Sequence, residues 1–167
     1  KSEAALRSLV SSQLTLGTVL EDWGLGAVMG KRRSMTVLFK GPSGTGKSMA
    51  AGALANELGL PLFHDALAGM VSKYIGETEK NLDRLFEAAA FADVVLFFDE
   101  ADAIFGERTE IQDARDRYAN LQTSYLLQRL ESFDGISILA TNLQKNIDEA
   151  FLRRIRHKIE IGDPSYE

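Results

Sequence analysis

The chain has 167 residues, of which 45% are hydrophobic and 26% are charged, and its formal net charge is −5. This length suffices for one domain with a buried core, and the composition is typical of a globular protein. The acidic balance argues against general electrostatic binding to nucleic acid or to anionic membranes. The chain has no cysteine, which excludes disulfides and thiolate metal sites. We expect a cytoplasmic protein, and because the sequence begins at Lys1 without a methionine, we expect it to be a segment of a longer one.

Predicted helices and strands alternate along the chain. Apolar residues at helical spacing predict a first helix within residues 4–14, and the glycine-rich residues 21–30 are typical of a loop. Short apolar runs predict five strands, at residues 35–39, 62–64, 94–98, 137–140 and 158–161. Further helices are predicted at residues 47–58, 79–91 and 116–133.

The apolar face of the 79–91 helix is predicted to carry Leu82, Leu85, Phe86 and Ala89. The apolar face of the 116–133 helix is predicted to carry Tyr118, Leu121, Tyr125 and Leu126, followed by Leu130 and Phe133.

The strands that begin near Val94 and Ile136 are almost continuously apolar rather than alternating. Such runs are typical of parallel strands covered on both faces of a sheet. Together with the strand–helix alternation, they predict a three-layer α/β/α domain with a central parallel sheet of about five strands.

Residues 41–48 (GPSGTGKS) match the phosphate-binding pattern G-x-x-x-x-G-K-[ST] in full, between a predicted strand and a predicted helix. Glycines allow successive backbone N–H groups to point at one anion, and the helix N-terminus adds its dipole. Lys47 can reach the β- and γ-phosphates, and the Ser48 hydroxyl can hold Mg²⁺. A plain glycine-rich turn is the alternative, but few such turns carry Lys-Ser at this offset. The candidate nucleotide-binding residues here are Pro42, Ser43, Gly44, Thr45, Gly46, Lys47, Ser48 and Met49.

Two carboxylates, Asp99 and Glu100, follow the third predicted strand. Ligands of open α/β sheets bind at the carboxyl ends of the strands, so Asp99 is expected beside the phosphate loop and near Mg²⁺, through a bound water. Glu100 is placed to polarise the water that attacks the γ-phosphate. The alternative, that both acids merely begin a helix, is disfavoured by the complete phosphate loop upstream. Asn142 follows the next strand and could bond the γ-phosphate or that water, although Asn alone equally suggests a turn or a helix cap.

These motifs, in this order, resemble those of AAA+ ATPases of the classical AAA branch, and the resemblance covers nearly the whole chain. It implies that residues 1–167 are the large nucleotide-binding subdomain of a P-loop NTPase, in which residues 1–30 form an N-terminal helix and an adenine-side loop and residues 31–167 the core. It implies ATP and Mg²⁺ as cofactors and a ring homo-oligomer, a hexamer, with no nucleic acid or membrane as partner. ATP hydrolysis would drive remodelling, unfolding or disassembly of a polypeptide through the ring pore. The alternative is a nucleotide-switched assembly factor or scaffold with little hydrolysis.

Residues 72–82 (SKYIGETEKNL) resemble the central-pore loop of that branch and the helix after it. The resemblance implies that Tyr74, Ile75 and Gly76 form the triplet that grips a threaded polypeptide. Without it, Tyr74 would be taken as an ordinary half-buried aromatic residue.

Residues 148–154 (DEAFLRR) resemble the arginine-finger segment, which implies that Arg153 and Arg154 reach the γ-phosphate bound by a neighbouring protomer. A guanidinium suits this role because it can stabilise charge spread over the phosphoryl oxygens. Many relatives have Pro-Gly between the two arginines, and this chain lacks it. A basic helix end or an anion-binding patch is the alternative, and Arg156 is a further candidate.

The resemblance also places Asp22 and Gly24 in the loop that contacts adenine, where Trp23 either packs on the core or stacks near the base. Residues 105–120 fall at the second pore loop, although a solvated loop fits them equally. The helical lid that follows the last strand in relatives is expected to be missing here. Several segments resemble bacterial AAA proteins encoded with contractile injection systems, with the wider katanin- and spastin-like group as the alternative.

Overall fold

The computed structural model describes residues 35–66, 76–102, 114–142, 149–155 and 157–162. Five strands lie in this part of the chain: β1 Met35–Lys40, β2 Leu62–Ala66, β3 Val95–Asp99, β4 Ile136–Thr141 and β5 His157–Glu160. Four helices lie between them: α1 Lys47–Glu57, α2 Glu77–Ala92, α3 Ala114–Ser132 and α4 Glu149–Arg154. The predicted strands are therefore confirmed with ends shifted by one or two residues. The predictions for residues 4–14 and 21–30 lie outside the described residues.

The strands form one parallel sheet in the order β2–β3–β4–β1–β5. β1 is an interior strand, because it pairs with β4 on one side and with β5, an edge strand, on the other. The chain crosses from β1 to the far edge at β2, returns through β3 and β4, and then passes β1 to form β5. This order confirms the predicted α/β fold and puts the loop after β1 between two neighbouring strand ends, which is where open α/β sheets bind ligands.

Apolar side chains cover both faces of the sheet, which explains why the strands are continuously apolar. On one face, strand residues such as Val37 and Phe97 pack against Ala51 and Leu54 of α1. The opposite face packs against α2, α3 and α4 through residues that include Leu38, Leu82, Phe86, Phe98, Leu126 and Phe151. Burying a Phe or Leu side chain stabilises the fold by about 1.5–3 kcal/mol, so the two apolar layers hold the sheet between them. Within the described residues, no helix is long and apolar enough to cross a bilayer.

Polar side chains also join α2 to α3. The amide of Gln122, which is 6% exposed, donates a hydrogen bond of 3.0 Å to the buried Thr78 hydroxyl. One turn further along α3, the Tyr125 hydroxyl donates a bond of 2.6 Å to Asp83, and Arg129 lies 3.0 Å from the same carboxylate. The bond to the Asp83 carboxylate raises the pKa of Tyr125, because the negative charge favours the protonated phenol. These contacts fix the rotation of α3 relative to α2.

The predicted apolar face of α3 is wrong at one position. The periodicity puts Leu121 on the buried face, but it is 65% exposed, whereas its neighbour Gln122 is buried. From periodicity alone, the Gln122 side chain would be expected to face solvent. Its burial is possible because its amide has a hydrogen-bond partner in Thr78. The same rotation buries Leu126, Leu127 and Leu130 as a continuous stripe. For α2 the prediction is confirmed, since Leu82, Phe86 and Ala89 are buried and Leu85 packs against them.

Ser137 can be used to measure the cost of a buried hydroxyl group that has no hydrogen-bond partner. It is 1% exposed in β4, and no group of the described residues hydrogen-bonds its hydroxyl. Ser137→Ala is therefore expected to raise the free energy of unfolding by about 1 kcal/mol, because the desolvation penalty of an unpaired hydroxyl is removed. Denaturant unfolding measures this. Ser132→Ala, at the exposed end of α3, is the control and should change stability by less than about 0.5 kcal/mol. A clear loss of stability for Ser137→Ala would contradict the assignment.

Candidate nucleotide-binding site

The loop between β1 and α1 is held at its start by both strands that flank β1. The backbone N–H of Gly41 donates to the Thr141 carbonyl at the end of β4, at 3.2 Å. On the other side, the N–H of Ile161, just after β5, donates to the Lys40 carbonyl at 2.7 Å. The loop is therefore anchored where the carboxyl ends of three parallel strands meet.

Three glycines give this loop its shape. Gly44 and Gly46 have φ angles of 83° and 90°, in the left-handed region that residues with a Cβ rarely adopt. At Gly41 the constraint is space, since an added Cβ would lie 2.1 Å from the carbonyl oxygen of Ile161. The sequence pattern and the backbone geometry thus agree at Gly41 and Gly46, and Gly44 lies at a position that the pattern leaves open.

Lys47, the first residue of α1, turns its side chain back over the loop. Its ammonium group donates to the carbonyl oxygens of Gly41 at 2.8 Å and Pro42 at 2.7 Å, and the residue is 6% exposed. The Thr45 hydroxyl also donates to Pro42, at 2.9 Å. Within the described residues, both hydrogen bonds of this buried cation go to neutral oxygens. A buried charge without a counter-ion is costly, so the site favours an anion beside Lys47.

The N-terminus of α1 is equally suited to an anion. Gly46 occupies the N-cap position without any side-chain cap, and the first turn contains no acidic residue. The first N–H groups of the helix and its positive dipole end are thus left for a ligand. Next to them Ser43, Gly44, Ser48 and Met49 are exposed. A triphosphate therefore fits this loop, and the Ser48 hydroxyl offers the hard oxygen donor that Mg²⁺ prefers.

The acidic end of β3 carries a second set of polar groups. The Asp99 carboxylate accepts the backbone N–H of Glu100 through Oδ1, at 2.9 Å. Its Oδ2 lies 3.8 Å from Nε2 of His64, on β2. Glu100 is exposed and has a φ of 52°, a left-handed conformation that is uncommon for a residue with a side chain. Such backbone strain often accompanies functional sites.

β4 lies between the phosphate loop and this acidic end, so Asp99 is one strand further from the loop than the sequence suggested. Two contacts from the end of β4 hold the acidic segment in place. The Ala101 N–H donates to the Ala140 carbonyl at 2.9 Å, and the Thr141 hydroxyl donates to Asp102 at 3.3 Å. Asn142 follows directly and is exposed at the same edge.

The two arginines of α4 lie on a different element from the phosphate loop. Both are exposed, and Arg154 lies 3.4 Å from Glu131 at the end of α3. The helix is anchored beneath them by Phe151 and Ile155, which are buried in the core on the α2 and α3 face.

Several predicted site residues cannot be placed. Asp22, Trp23, Gly24, Tyr74, Ile75 and Arg156 lie outside the described residues. Gly76 is described, and it begins α2 as its N-cap with a φ of 81°.

Sequence reasoning missed two polar residues of this region, His64 and Thr141. A histidine at the end of a predicted strand, and a threonine directly before Asn142, were the available signals. Neither residue belongs to a spaced motif, so only the pairing of the strands brings them to the site.

Residues 37–163 match the family model described as "ATPase family associated with various cellular activities (AAA)". The chain belongs to the AAA family. It is 40% identical over 120 residues to the AAA family ATPase y4kL of Sinorhizobium fredii, which covers 71% of this chain and 36% of that protein. It is 35% identical to the 26S proteasome subunit RPT4 of Saccharomyces cerevisiae, over 77% of this chain and 31% of that protein. It is 36% identical to a katanin p60 ATPase-containing subunit of Danio rerio, over 88% of this chain and 32% of that protein.

The chain thus spans about a third of the length of these relatives. The matches support the predicted classical AAA branch. The phosphate loop and the acidic end of β3 both lie within the matched residues 37–163.

The strain at Glu100 can be measured with a matched control. Asp93, at the end of α2, has nearly the same φ, 54°. Glu100→Gly and Asp93→Gly are each expected to raise the free energy of unfolding by about 1 kcal/mol, because glycine adopts this conformation without the Cβ clash. Denaturant unfolding of the two variants checks this. Stabilisation by Asp93→Gly alone would show that Glu100 is not strained.

Proposed function

We propose that residues 1–167 form the large subdomain of an AAA+ ATPase that binds Mg²⁺-ATP and hydrolyses it to remodel, unfold or disassemble proteins. The observation that carries this proposal is the buried Lys47 ammonium, which has only neutral partners among the described residues and lies beside an uncapped helix N-terminus. That arrangement lacks one component, an anion with several oxygens, and a triphosphate supplies it.

In this proposal the loop binds the phosphates through its backbone N–H groups and Lys47. Ser48 and Asp99 hold Mg²⁺, with Asp99 acting through a bound water. When bound, Mg²⁺ neutralises charge on the β- and γ-phosphate oxygens. Asp22 and Gly24 contact the adenine side of the nucleotide.

Hydrolysis is assigned to the polar groups that follow β3 and β4. Glu100 orients and polarises the attacking water, and Asn142 hydrogen-bonds that water or the γ-phosphate. Support for this assignment comes from the hydrogen bond between the Glu100 N–H and Asp99, which ties the conformation of one acid to the orientation of the other. The left-handed backbone at Glu100 adds support, because such conformations are more common at functional sites than elsewhere.

Arg153 and Arg154 are assigned to the site of a neighbouring protomer in a ring, proposed to be a hexamer. The support is their exposure on α4, away from the loop of their own chain. Two of the relatives are named as subunits, one of the 26S proteasome and one of katanin. A transition state with greater negative charge on the phosphoryl oxygens is stabilised by further cations beside Lys47, which is the role assigned to these arginines.

The hydrolysis assignment is tested by Glu100→Gln in the full-length protein. We expect ATP binding to be retained and the turnover number to fall at least about 100-fold, because the amide cannot act as a base toward water. Equilibrium ATP binding and phosphate release measure the two effects. Glu87→Gln, an exposed acid on α2, is the control and should turn over normally. Turnover by Glu100→Gln at the normal rate would remove Glu100 from this role.

ATP-dependent unfolding of a protein substrate distinguishes the proposed remodeller from a nucleotide-switched scaffold, which would not unfold it. Tyr74→Ala, in the proposed pore triplet of Tyr74, Ile75 and Gly76, should leave basal ATP hydrolysis within about twofold of normal, since the proposal assigns this triplet to the polypeptide and not to the nucleotide. ATP-dependent unfolding of a tagged substrate should be lost. Phe91→Ala, at the exposed end of α2, is the control. Unfolding that survives Tyr74→Ala would remove Tyr74 from the pore role. Unfolding that never occurs in the unmodified protein would favour the scaffold.

A further inference from the structure

His64 is brought to the acidic strand end by the register of two neighbouring strands. His64 on β2 pairs with Phe97 on β3, and Asp99 lies two residues further along β3. Because side chains alternate along a strand and in-register residues point the same way, these three side chains project from one face of the sheet. It is the face that α1 covers, since Phe97 packs in the same apolar cluster as Ala51. Asp99 and His64 are therefore diagonal neighbours, within reach of a long side chain.

The histidine ring is held by the core on one side. Its centroid lies 4.9 Å from that of the Phe97 ring, with an angle of 47° between the ring planes, and Phe97 is completely buried. The other side of the ring is open, since 54% of the His64 side chain is exposed. This packing leaves Nε2 at 3.8 Å from Oδ2 of Asp99.

The Asp99 carboxylate has a hydrogen bond at one oxygen and faces the imidazole with the other. Oδ1 accepts the backbone N–H of Glu100 at 2.9 Å, and Oδ2 faces His64. Rotation of the carboxylate would break the first contact and change the second. At 3.8 Å the imidazole is too far away for a hydrogen bond, so Oδ2 keeps its capacity to accept one from another donor.

We propose that His64 is a positioning residue for Asp99. Its imidazole faces Oδ2 with Nε2 at 3.8 Å, and the dipole of an N–H there favours the orientation in which Oδ2 can accept a hydrogen bond from a water bound to Mg²⁺. This inference rests on the proposed role of Asp99 toward Mg²⁺-ATP and adds a residue on β2 that no motif contains. Outer-shell partners of metal ligands typically change metal affinity by about 10–100-fold, and His64 acts one contact further out, through Asp99 and its water, so its effect belongs at the lower end.

The test compares ATP binding with Mg²⁺ and ATP binding in excess chelator, using the full-length protein. The ratio of the two dissociation constants reports the contact between protein and metal without any turnover. His64→Phe keeps a ring that packs on Phe97 but removes the polar nitrogen. We expect it to lower the Mg²⁺ preference by about tenfold, the lower end of the range for such partners, and to leave metal-free ATP binding unchanged.

Two further variants make the result specific. His64→Gln restores an N–H group at a similar reach and should recover most of the Mg²⁺ preference. His157→Phe is the matched control, because the second histidine of the chain lies on β5, separated from β3 by two strands. Cooperative unfolding of each variant establishes that it is folded.

The outcomes distinguish failure of the proposed metal role of Asp99 from failure of the positioning role of His64. If the unmodified protein binds ATP equally with and without Mg²⁺, the metal role of Asp99 fails and this inference fails with it. If the unmodified protein prefers Mg²⁺ and His64→Phe retains that preference, His64 does not position Asp99. If His64→Gln is as impaired as His64→Phe, an N–H group at this position does not support the Mg²⁺ preference and the proposed polar contact is wrong.

Discussion

The backbone contacts at the carboxyl end of β4 are the constraint on which the whole site depends. The carbonyls of Ala140 and Thr141, adjacent along the chain, accept N–H groups from the acidic segment on one side and the phosphate loop on the other. The two loops are therefore spaced by the width of one strand, and this spacing does not rely on any flexible side chain. Backbone pairs in a buried sheet are costly to break, because both groups would be left without partners. The distance between a phosphate held by the loop and the acids after β3 is thus a property of the fold.

The two apolar layers on either side of the sheet stabilise the fold enough to tolerate local features of the site that oppose folding. An ammonium group buried under neutral carbonyls at Lys47 and a left-handed backbone at Glu100 both oppose folding, the latter by about 1–3 kcal/mol. Both features lie at the edge where strands end, whereas the buried Phe and Leu residues line the strands themselves. Because natural domains are stable by only about 5–15 kcal/mol, such costs are a substantial fraction of the total. The cost at Lys47 is one that an anion bound to the loop would offset.

The parts of this structure that the sequence predicts are those governed by residues close together along the chain. The phosphate loop follows from Gly41, Gly46 and Lys47 at short spacings, and the strands follow from continuous apolar runs. The burial of Gln122 instead of Leu121 could not be predicted, because it depends on Thr78, a residue 44 positions away. The same holds for His64 and Asp99, which are joined only by strand register. The left-handed conformation of Glu100 could not be predicted from the sequence either, because glycine is the residue type that normally indicates such a conformation.

The ion pair between Arg154 and Glu131 bears on how an arginine of α4 could serve a neighbouring protomer. The atoms are 3.4 Å apart and both side chains are about half exposed, so the pair stabilises its own chain by about 0–1 kcal/mol. A contact this weak would orient the guanidinium before assembly and release it at little cost when a more highly charged partner approaches. A triphosphate at low local dielectric attracts a guanidinium far more strongly than an exposed carboxylate does. In the proposed ring, exchange of Glu131 for a neighbour's phosphate would break this contact between α3 and α4.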